Sequence, residues 1–294
     1  MARKQYVADS PFLVPFDGSF KVARARSAPD KGRTDKSDNE RQLAAAVAEL
    51  DVLQRTLYAD ARHAVLLVFQ ATDAAGKDST IRAVLTGINP AGCQVVSFKR
   101  PSEEELRHDF LWRCARALPE RGRIGVFNRS YYEEVLTVRV HPQLLAAQQL
   151  PWRPDGDKKL WRERLQSIAD FERHLARNGT VILKFWLNVS REEQRQRLLA
   201  RLDEPEKNWK FESGDLVERA HWADYRKAYQ HLLNQTSTPW APWYAIPADD
   251  KPYMRAQVAQ IVVERLRELD LQYPQLEKAE AAKLADLRRQ LLVD

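Results

Sequence analysis

Apolar residues fall into two alternating rhythms along this chain. The segments AVLLVFQ (64–70), CQVVSF (93–98), RIGVFN (123–128), TVILKFWLNV (180–189) and WYAIP (243–247) are short apolar runs with few breaks. Such runs fit strands covered on both faces, as in a parallel sheet. Helical patterns separate them at about 103–117, 157–178, 190–202, 214–235 and 251–268. Upstream, Leu43, Val47, Leu50, Leu53 and Leu57 recur at helical spacing and predict a helix from about Asn39 to Tyr58. The alternation predicts a doubly wound α/β domain, three layers deep, around a parallel sheet of about five strands.

The two ends read differently. Residues 1 to about 40 carry Ser, Pro, Asp, Lys and Arg without apolar periodicity, so an N-terminal arm is expected, with Phe12, Val14 and Phe16 as points that could dock on the body. The domain is expected over 41–270. The segment LEKAEAAKLADLRRQLLV (275–292), within a C-terminal stretch 271–294, predicts an amphipathic helix that packs on the body or on a neighbouring subunit. No internal repeat or low-complexity tract is visible.

Composition narrows the class only a little. The 294 residues suffice for one large α/β domain or two small ones, and 44% apolar with 30% charged is ordinary for a globular chain. No apolar run approaches the roughly 20 residues of a membrane span. The start MARKQYVADSPFLVPF has no apolar run long enough for a signal peptide, so a cytoplasmic protein is expected. Cys93 and Cys114 lie apart, with no CxxC and no histidines beside them, and read as small buried apolar residues. The net charge of +6 is compatible with a polyanionic partner and does not require one.

Chemistry enters at the end of the first apolar run. Ala71-Thr72-Asp73-Ala74-Ala75-Gly76-Lys77-Asp78-Ser79 lies between an expected strand and an expected helix and fits G-x-x-x-x-G-K-[ST] in part. Ala71 stands where the first glycine belongs, and Asp78 where Ser or Thr belongs, with Ser79 one place later. The physics survives these departures. A loop opening a helix aims backbone N–H groups at one point, and the helix end adds partial positive charge. Phosphate contacts are therefore expected along Ala74, Ala75, Gly76, Asp78 and Ser79, with Lys77 bridging two phosphates. Asp73 repels phosphate unless something offsets it. It either holds Mg²⁺, orients the attacking phosphate, or caps the turn.

Two further segments follow expected strands. Asn128-Arg129-Ser130-Tyr131-Tyr132 places Arg129 where ligands of open α/β sheets bind, and a guanidinium suits phosphate. Asn128 occupies a position where a carboxylate usually supports the metal; its amide could hold a metal-bound water. From Ser190 onward, Arg191, Arg197, Arg201, Lys207 and Lys210 accumulate, with Arg197 and Arg201 on one helix face. Glu192, Glu193, Asp203, Glu204 and Glu206 nearly balance them, so a solvated helix is one reading. A lid closing over phosphates, with Trp209, Trp222 and Tyr225 as an apolar base, is the other.

Taken in order, these stretches resemble the second family of polyphosphate kinases, most closely its class III members. The resemblance covers nearly all of residues 40–260 and rests on LQRTLYA (53–59), LLVFQATDAAGKDSTI (66–81), GINPAGCQVVSFKRPS (87–102), EELRHDFLWR (104–113), VFNRSYYEEVLTVRVHP (126–142), FERHLARNGT (171–180), FWLNVSREEQRQR (185–197), NWKF (208–211) and PWYAIPADDK (242–251). It implies a thymidylate-kinase-like P-loop fold with a mobile lid at about 190–225. It also implies Mg²⁺-dependent (or Mn²⁺-dependent) transfer of the terminal phosphate of inorganic polyphosphate to AMP or ADP, and the reverse reaction. Guanine nucleotides are a further candidate acceptor. Carried over by position, Asp73 (also the metal residue) and Lys77 are the loop's functional pair, and Asn128 and Arg129 occupy the second motif. Arg191, Arg197, Arg201, Lys207 and Lys210 match basic lid positions, while Phe98, Lys99, Arg100, Asn128, Tyr132 and Glu133 are expected on the nucleotide side. No catalytic role falls to His63, His108 or His141, because a nucleotide phosphate is already ionised and needs no base. A homo-oligomer, dimer or tetramer, is implied, with no membrane or nucleic-acid partner. Ala71 departs from the family's usual glycine, so either its φ is negative or the loop is distorted. The alternatives are an ATP-dependent nucleoside monophosphate kinase and an inactive polyanion-binding P-loop module.

Overall fold

The computed structural model describes residues 7–32, 35–151 and 157–292. All five apolar runs are strands of one parallel sheet. β1 (Ala64–Gln70), β2 (Cys93–Ser97), β3 (Ile124–Asn128), β4 (Thr180–Asn188) and β5 (Trp243–Pro247) lie in the order β2-β3-β1-β4-β5. The helices are α1 (Lys36–Asp60), α2 (Lys77–Val84), α3 (Glu103–Leu106), α4 (Trp112–Ala115), α5 (Thr137–Val140), α6 (Pro142–Ala146), α7 (Asp157–Arg177), α8 (Arg191–Asp203), α9 (Gly214–Ala220), α10 (Trp222–Thr236), α11 (Lys251–Arg267) and α12 (Lys278–Leu291).

The period-2 pleat of β1 divides the core in two. Val65, Leu67 and Phe69 join Leu50 and Leu57 of α1 and Val258 and Val262 of α11 on one face. Leu66 and Val68 join Leu165 and Ile168 of α7 and Leu232 of α10 on the other. Every residue of β1 is buried, which is why its sequence is an unbroken apolar run. Pairing of Phe69 with Asn128 brings the ends of β1 and β3 level. The crossover after β1 passes over β3 to β2, while the one after β3 passes over β1 to β4. The chain therefore switches direction between β1 and β3, where open α/β sheets form their binding crevice.

Three departures from expectation have identifiable causes. The helix expected over 103–117 is two single turns, α3 and α4, because the Asp109 carboxylate accepts from Leu111 N at 2.9 Å and competes with the helical bond. The stretch 214–235 breaks at His221, whose ring packs 4.9 Å from that of His141. The expected arm is stitched into the body. Leu13 bridges Tyr244 antiparallel, Val14 N donates to Trp243 O at 2.9 Å, and Ala245 N donates to Phe12 O at 2.8 Å. Val14 is wholly buried and Phe12 packs edge-on against Tyr253, whereas Phe16 is exposed. Residues 1–6 of that segment lie outside the described residues. On α12, Leu284, Leu287 and Leu291 are exposed, so packing on the body is not observed. Both cysteines are free; Cys114 is buried and Cys93 half-buried. Among the described residues no helix is long and apolar enough to cross a membrane.

Candidate functional site

The loop after β1 has left-handed backbone at Ala74 (φ 59°) and Gly76 (φ 105°). Ala71 is not among the residues with positive φ, so the strain expected from the missing glycine is absent there. Its carbonyl instead accepts from Lys77 Nζ at 3.0 Å. Gly76 is the N-cap of α2 and supplies no side-chain cap, so the first-turn N–H groups are left for a ligand or water. A Cβ at Gly76 would lie 3.3 Å from Met254 Cε, which together with its φ accounts for glycine here. The Ser79 hydroxyl, expected at phosphate, donates back to Gly76 O at 3.0 Å, and Thr80 does the same at 2.9 Å.

Lys77, Asp73 and Arg129 are brought together. Arg129 occupies the left-handed region (φ 64°), its N–H donates to Phe69 O at 3.1 Å, and its guanidinium donates to Asp73 Oδ1 at 3.2 Å. Burial lowers the Lys77 amine from the ordinary lysine value and Arg129 adds to this, while Asp73, Glu133 and Asp78 oppose it. The Glu133 carboxylate is the main cause holding Arg129 above its ordinary value. Among the described residues Lys77 has no carboxylate within ion-pair distance, whereas Arg129 is paired with Asp73. Lys77 is therefore the cation left short of counter-charge, an arrangement that favours an incoming anion. Asn128 is buried; its amide donates to Asp78 Oδ1 at 2.5 Å and to Ser97 Oγ at 3.4 Å. Asn128 and Asp78 therefore engage each other across the crevice.

Three expected ligand residues are placed otherwise. Tyr132, expected on the nucleotide side, is wholly buried and donates to Glu172 Oε1 at 2.8 Å. Phe98 is also buried, edge-to-face with Phe127 at 4.9 Å. Both are core aromatics, Phe98 directly after β2 and Tyr132 in the turn that follows β3, and both join the cluster on the α7 side of the sheet. Arg197, expected as a lid cation, is buried and spends its donors on the protein. Nη1 donates to Ala74 O (3.2 Å) and Ala75 O (2.8 Å), Nη2 to Ala248 O (2.7 Å) and Asp249 O (3.1 Å), and Nε to Glu193 Oε1 (2.7 Å). It ties α8 to the loop carbonyls instead of facing solvent. Lys99 and Arg100 are exposed after β2, and Glu133 is half-buried, accepting from Thr137 Oγ1 at 2.7 Å.

The remaining lid residues divide between the two readings. Arg201 pairs with Asp215 at 2.9 Å, Lys207 pairs with Glu204, Lys210 lies over the Trp209 ring, and Arg191 is exposed. Trp222 packs on the core and Tyr225 donates to Glu218, but Trp209 is 77% exposed and is no base. Two contributors were not anticipated. Gln194 Nε2 donates to Asp73 O at 3.0 Å, and Arg219 donates to Gln194 Oε1 at 2.8 Å. The spacing of Gln194 three residues before Arg197, on the same helix face, is the sequence signal that could have found it. His63, His108 and His141 meet Gly179 O, the Trp112 ring and Glu218, respectively.

Among the described residues no group of three or more His, Cys, Asp or Glu could enclose a metal. Asp73 and Glu133 are carboxylates near enough to Lys77 and Arg129 to act on the charge of both. Magnesium commonly takes one or two carboxylates and completes its shell with substrate phosphates and water, so this donor set fits a metal that arrives with phosphate.

A family model described as polyphosphate kinase 2 (PPK2) matches residues 33–274. An ADP-polyphosphate phosphotransferase of Rhodopseudomonas palustris is 56% identical over 250 residues, 85% of this chain and 86% of that protein. An AMP/ADP-polyphosphate phosphotransferase of Meiothermus ruber is 46% identical over 271 residues, 91% of this chain and 96% of that protein. The crystal structure of polyphosphate kinase 2 from Arthrobacter aurescens superposes with a TM-score of 0.84 at 39% identity, covering 96% of this chain and 98% of that one. The five-stranded parallel sheet with its flanking helices is thus a P-loop kinase fold, and the chain belongs to the polyphosphate kinase 2 family.

Proposed function

We propose that this protein transfers the terminal phosphate of inorganic polyphosphate to AMP and ADP, and runs the reverse reaction. The observation that carries this reading is the convergence of Lys77, Arg129 and the open N-terminus of α2 at one crevice, in a chain whose relatives are named for this chemistry. Transfer is direct and in line. An oxygen of the acceptor phosphate forms a bond to the terminal phosphorus of the donor. The bridging P–O bond breaks, and its electron pair stays on the donor, now one unit shorter. The acceptor oxygen is already ionised at neutral pH, so no general base is required. Lys77 and Arg129 stabilise charge on the transferring group, and α8, held by Arg197 and Gln194, keeps water from it.

A divalent cation, Mg²⁺ or Mn²⁺, would be held by Asp73 with support from Glu133 and would neutralise phosphate charge. Arg191, Lys207 and Lys210 supply cations along the donor, and Lys99, Arg100, Asn128 and Glu133 lie toward the acceptor. The proposal includes a cytosolic homo-oligomer, whose size light scattering would give.

An ATP-free assay with long-chain polyphosphate, Mg²⁺ and a panel of AMP, ADP, GMP and GDP tests the reading. Formation of ADP or ATP supports it. Turnover only when ATP is the donor would instead establish a nucleoside monophosphate kinase, and no turnover at all an inactive binding module. Metal titration of Asp73→Asn tests the cation assignment: an unchanged metal dependence removes Asp73 from that role.

A further inference from the structure

Beyond the loop and lid, a second set of cations stands beside the phosphate crevice. α11 begins next to the loop. Met254 Cε lies close to Gly76, Thr80 Oγ1 meets Met254 Sδ at 3.8 Å, and Arg197 holds the carbonyls of Ala248 and Asp249 just ahead of the helix. Asp250 caps α11 through Tyr253 N at 2.8 Å. Lys251 is its first residue and Arg255 follows one turn on, about 6 Å further along the axis. Arg82 of α2 lies on the same side, near enough to Arg255 to act on its charge.

These cations differ from three of those on α8 and the turn after it. Arg201, Lys207 and Arg195 each face a carboxylate within ion-pair distance. Among the described residues, no carboxylate lies within ion-pair distance of Lys251, Arg255 or Arg82. The nearby carboxylates are already engaged, Glu193 with Arg197 and Glu40 with Lys36. Arg255 Nε is buried and makes no hydrogen bond. Burial lowers Arg255 from its ordinary value, and Arg82 and Arg197 add to this. The same holds for Lys251, with burial first and then Arg197, Arg255 and Lys207. Like charges gathered without counter-charge repel one another, and a polyanion laid across them removes that cost.

We propose that Lys251, Arg255 and Arg82 form a distal phosphate subsite, which holds the part of a polyphosphate donor that extends past the loop. The proposal rests on the phosphotransferase reading and adds a device for chain-length preference. A short donor is satisfied by the loop and Lys77, whereas a long one continues along the start of α11 and gains the additional cations.

The test uses the full chain carrying Lys251→Gln, Arg255→Gln or both. An Arg121→Gln control sits at the opposite end of the strands, ahead of β3, where its guanidinium donates to Asn178 O. The KM is measured for tripolyphosphate and for long-chain polyphosphate at several salt concentrations. The double variant is expected to raise the long-chain KM about 10-fold more than the tripolyphosphate KM. The slope of log KM against log salt for the long chain should fall by about one per cation removed, as for other polyanions. Equal weakening of both donors, or an unchanged salt slope in a folded variant, overturns the subsite. Equilibrium binding of labelled long-chain polyphosphate separates this outcome from failure of the activity. If the wild type binds but does not turn over, and the variants lose affinity, the subsite stands and the phosphotransferase reading falls. Unchanged affinity in the double variant overturns the subsite whatever the turnover.

Discussion

Lys184 Nζ donates to Glu172 Oε2 at 2.6 Å, and both side chains are wholly buried beside the segment that carries Arg129. The amine also donates to Tyr132 Oη (2.8 Å) and Thr236 O (2.7 Å), while Glu172 Oε1 accepts from Tyr131 and Tyr132. All three ammonium donors are satisfied, which is the condition under which a buried charge is tolerated. The pair anchors the turn directly after Arg129, whose left-handed φ needs its surroundings held.

Removing one partner should be far worse than removing both. Lys184→Met leaves Glu172 buried and uncompensated, with an expected loss of about 3–5 kcal/mol. Lys184→Met with Glu172→Leu should recover most of it, read by denaturant unfolding. Burial also lowers the Lys184 pKa to about 8. From pH 8 toward the ordinary 10.5 the unfolded chain binds this proton and the folded one does not. Wild-type stability should therefore rise with pH in that window relative to Lys184→Met.

Arg197 should act through the loop and not by touching phosphate. Arg197→Lys cannot reach four carbonyls and a carboxylate at once, so stability should drop by about 3 kcal/mol and kcat should fall with it. The salt dependence of the polyphosphate KM should stay as in wild type. A reduced salt slope would show that Arg197 contacts the donor directly.

Lys77→Ala removes the loop's own cation. Transition-state stabilisation should fall by about 2.7–4 kcal/mol, a loss of 10²–10³ in kcat, by analogy with removal of one oxyanion donor. The melting temperature should hardly move, because Lys77 makes one hydrogen bond, to Ala71 O. Near-normal turnover in folded protein would take Lys77 out of the mechanism.

The cysteines should be inert at neutral pH. Burial raises the Cys93 thiol to about 11 and the Cys114 thiol to about 12. At pH 8 the reactive thiolate of Cys93 is then about 10⁻³ of the total, and alkylation should speed up as pH rises toward 11. Mass spectrometry after iodoacetamide treatment should show Cys93 modified ahead of Cys114, which is more deeply buried.

The strands, most of the helices and the loop position were legible because each depends on neighbours in sequence. AVLLVFQ fits a strand covered on both faces, and Gly76-Lys77 after it fits the opening of a helix; the structure has both, as β1 and α2. Segments that fail locally were misread. The arm has no periodicity because its order comes from Trp243 and Tyr244, more than 200 residues away in the chain. Tyr132 and Phe98 stand close in sequence to the expected site residues, and only the packing around Glu172 and Phe127 turns them inward.

By itself the sequence determined the order of strand, loop and helix and the placing of Asp73, Lys77 and Arg129 after buried strands, since these follow from local order and spacing. The family and its P-loop fold were legible through the resemblance of the motifs. Tertiary structure decided which cations are free. Lid arginines look alike in sequence, but Arg197 is consumed by loop carbonyls and Arg201 by Asp215, while Lys251 and Arg255 are left without a carboxylate. It also decided how Ala71 is accommodated, because the left-handed turns fall at Ala74 and Gly76. Side-chain charge is written in the chain, but its availability is set by the acceptors that folding brings within about 3 Å.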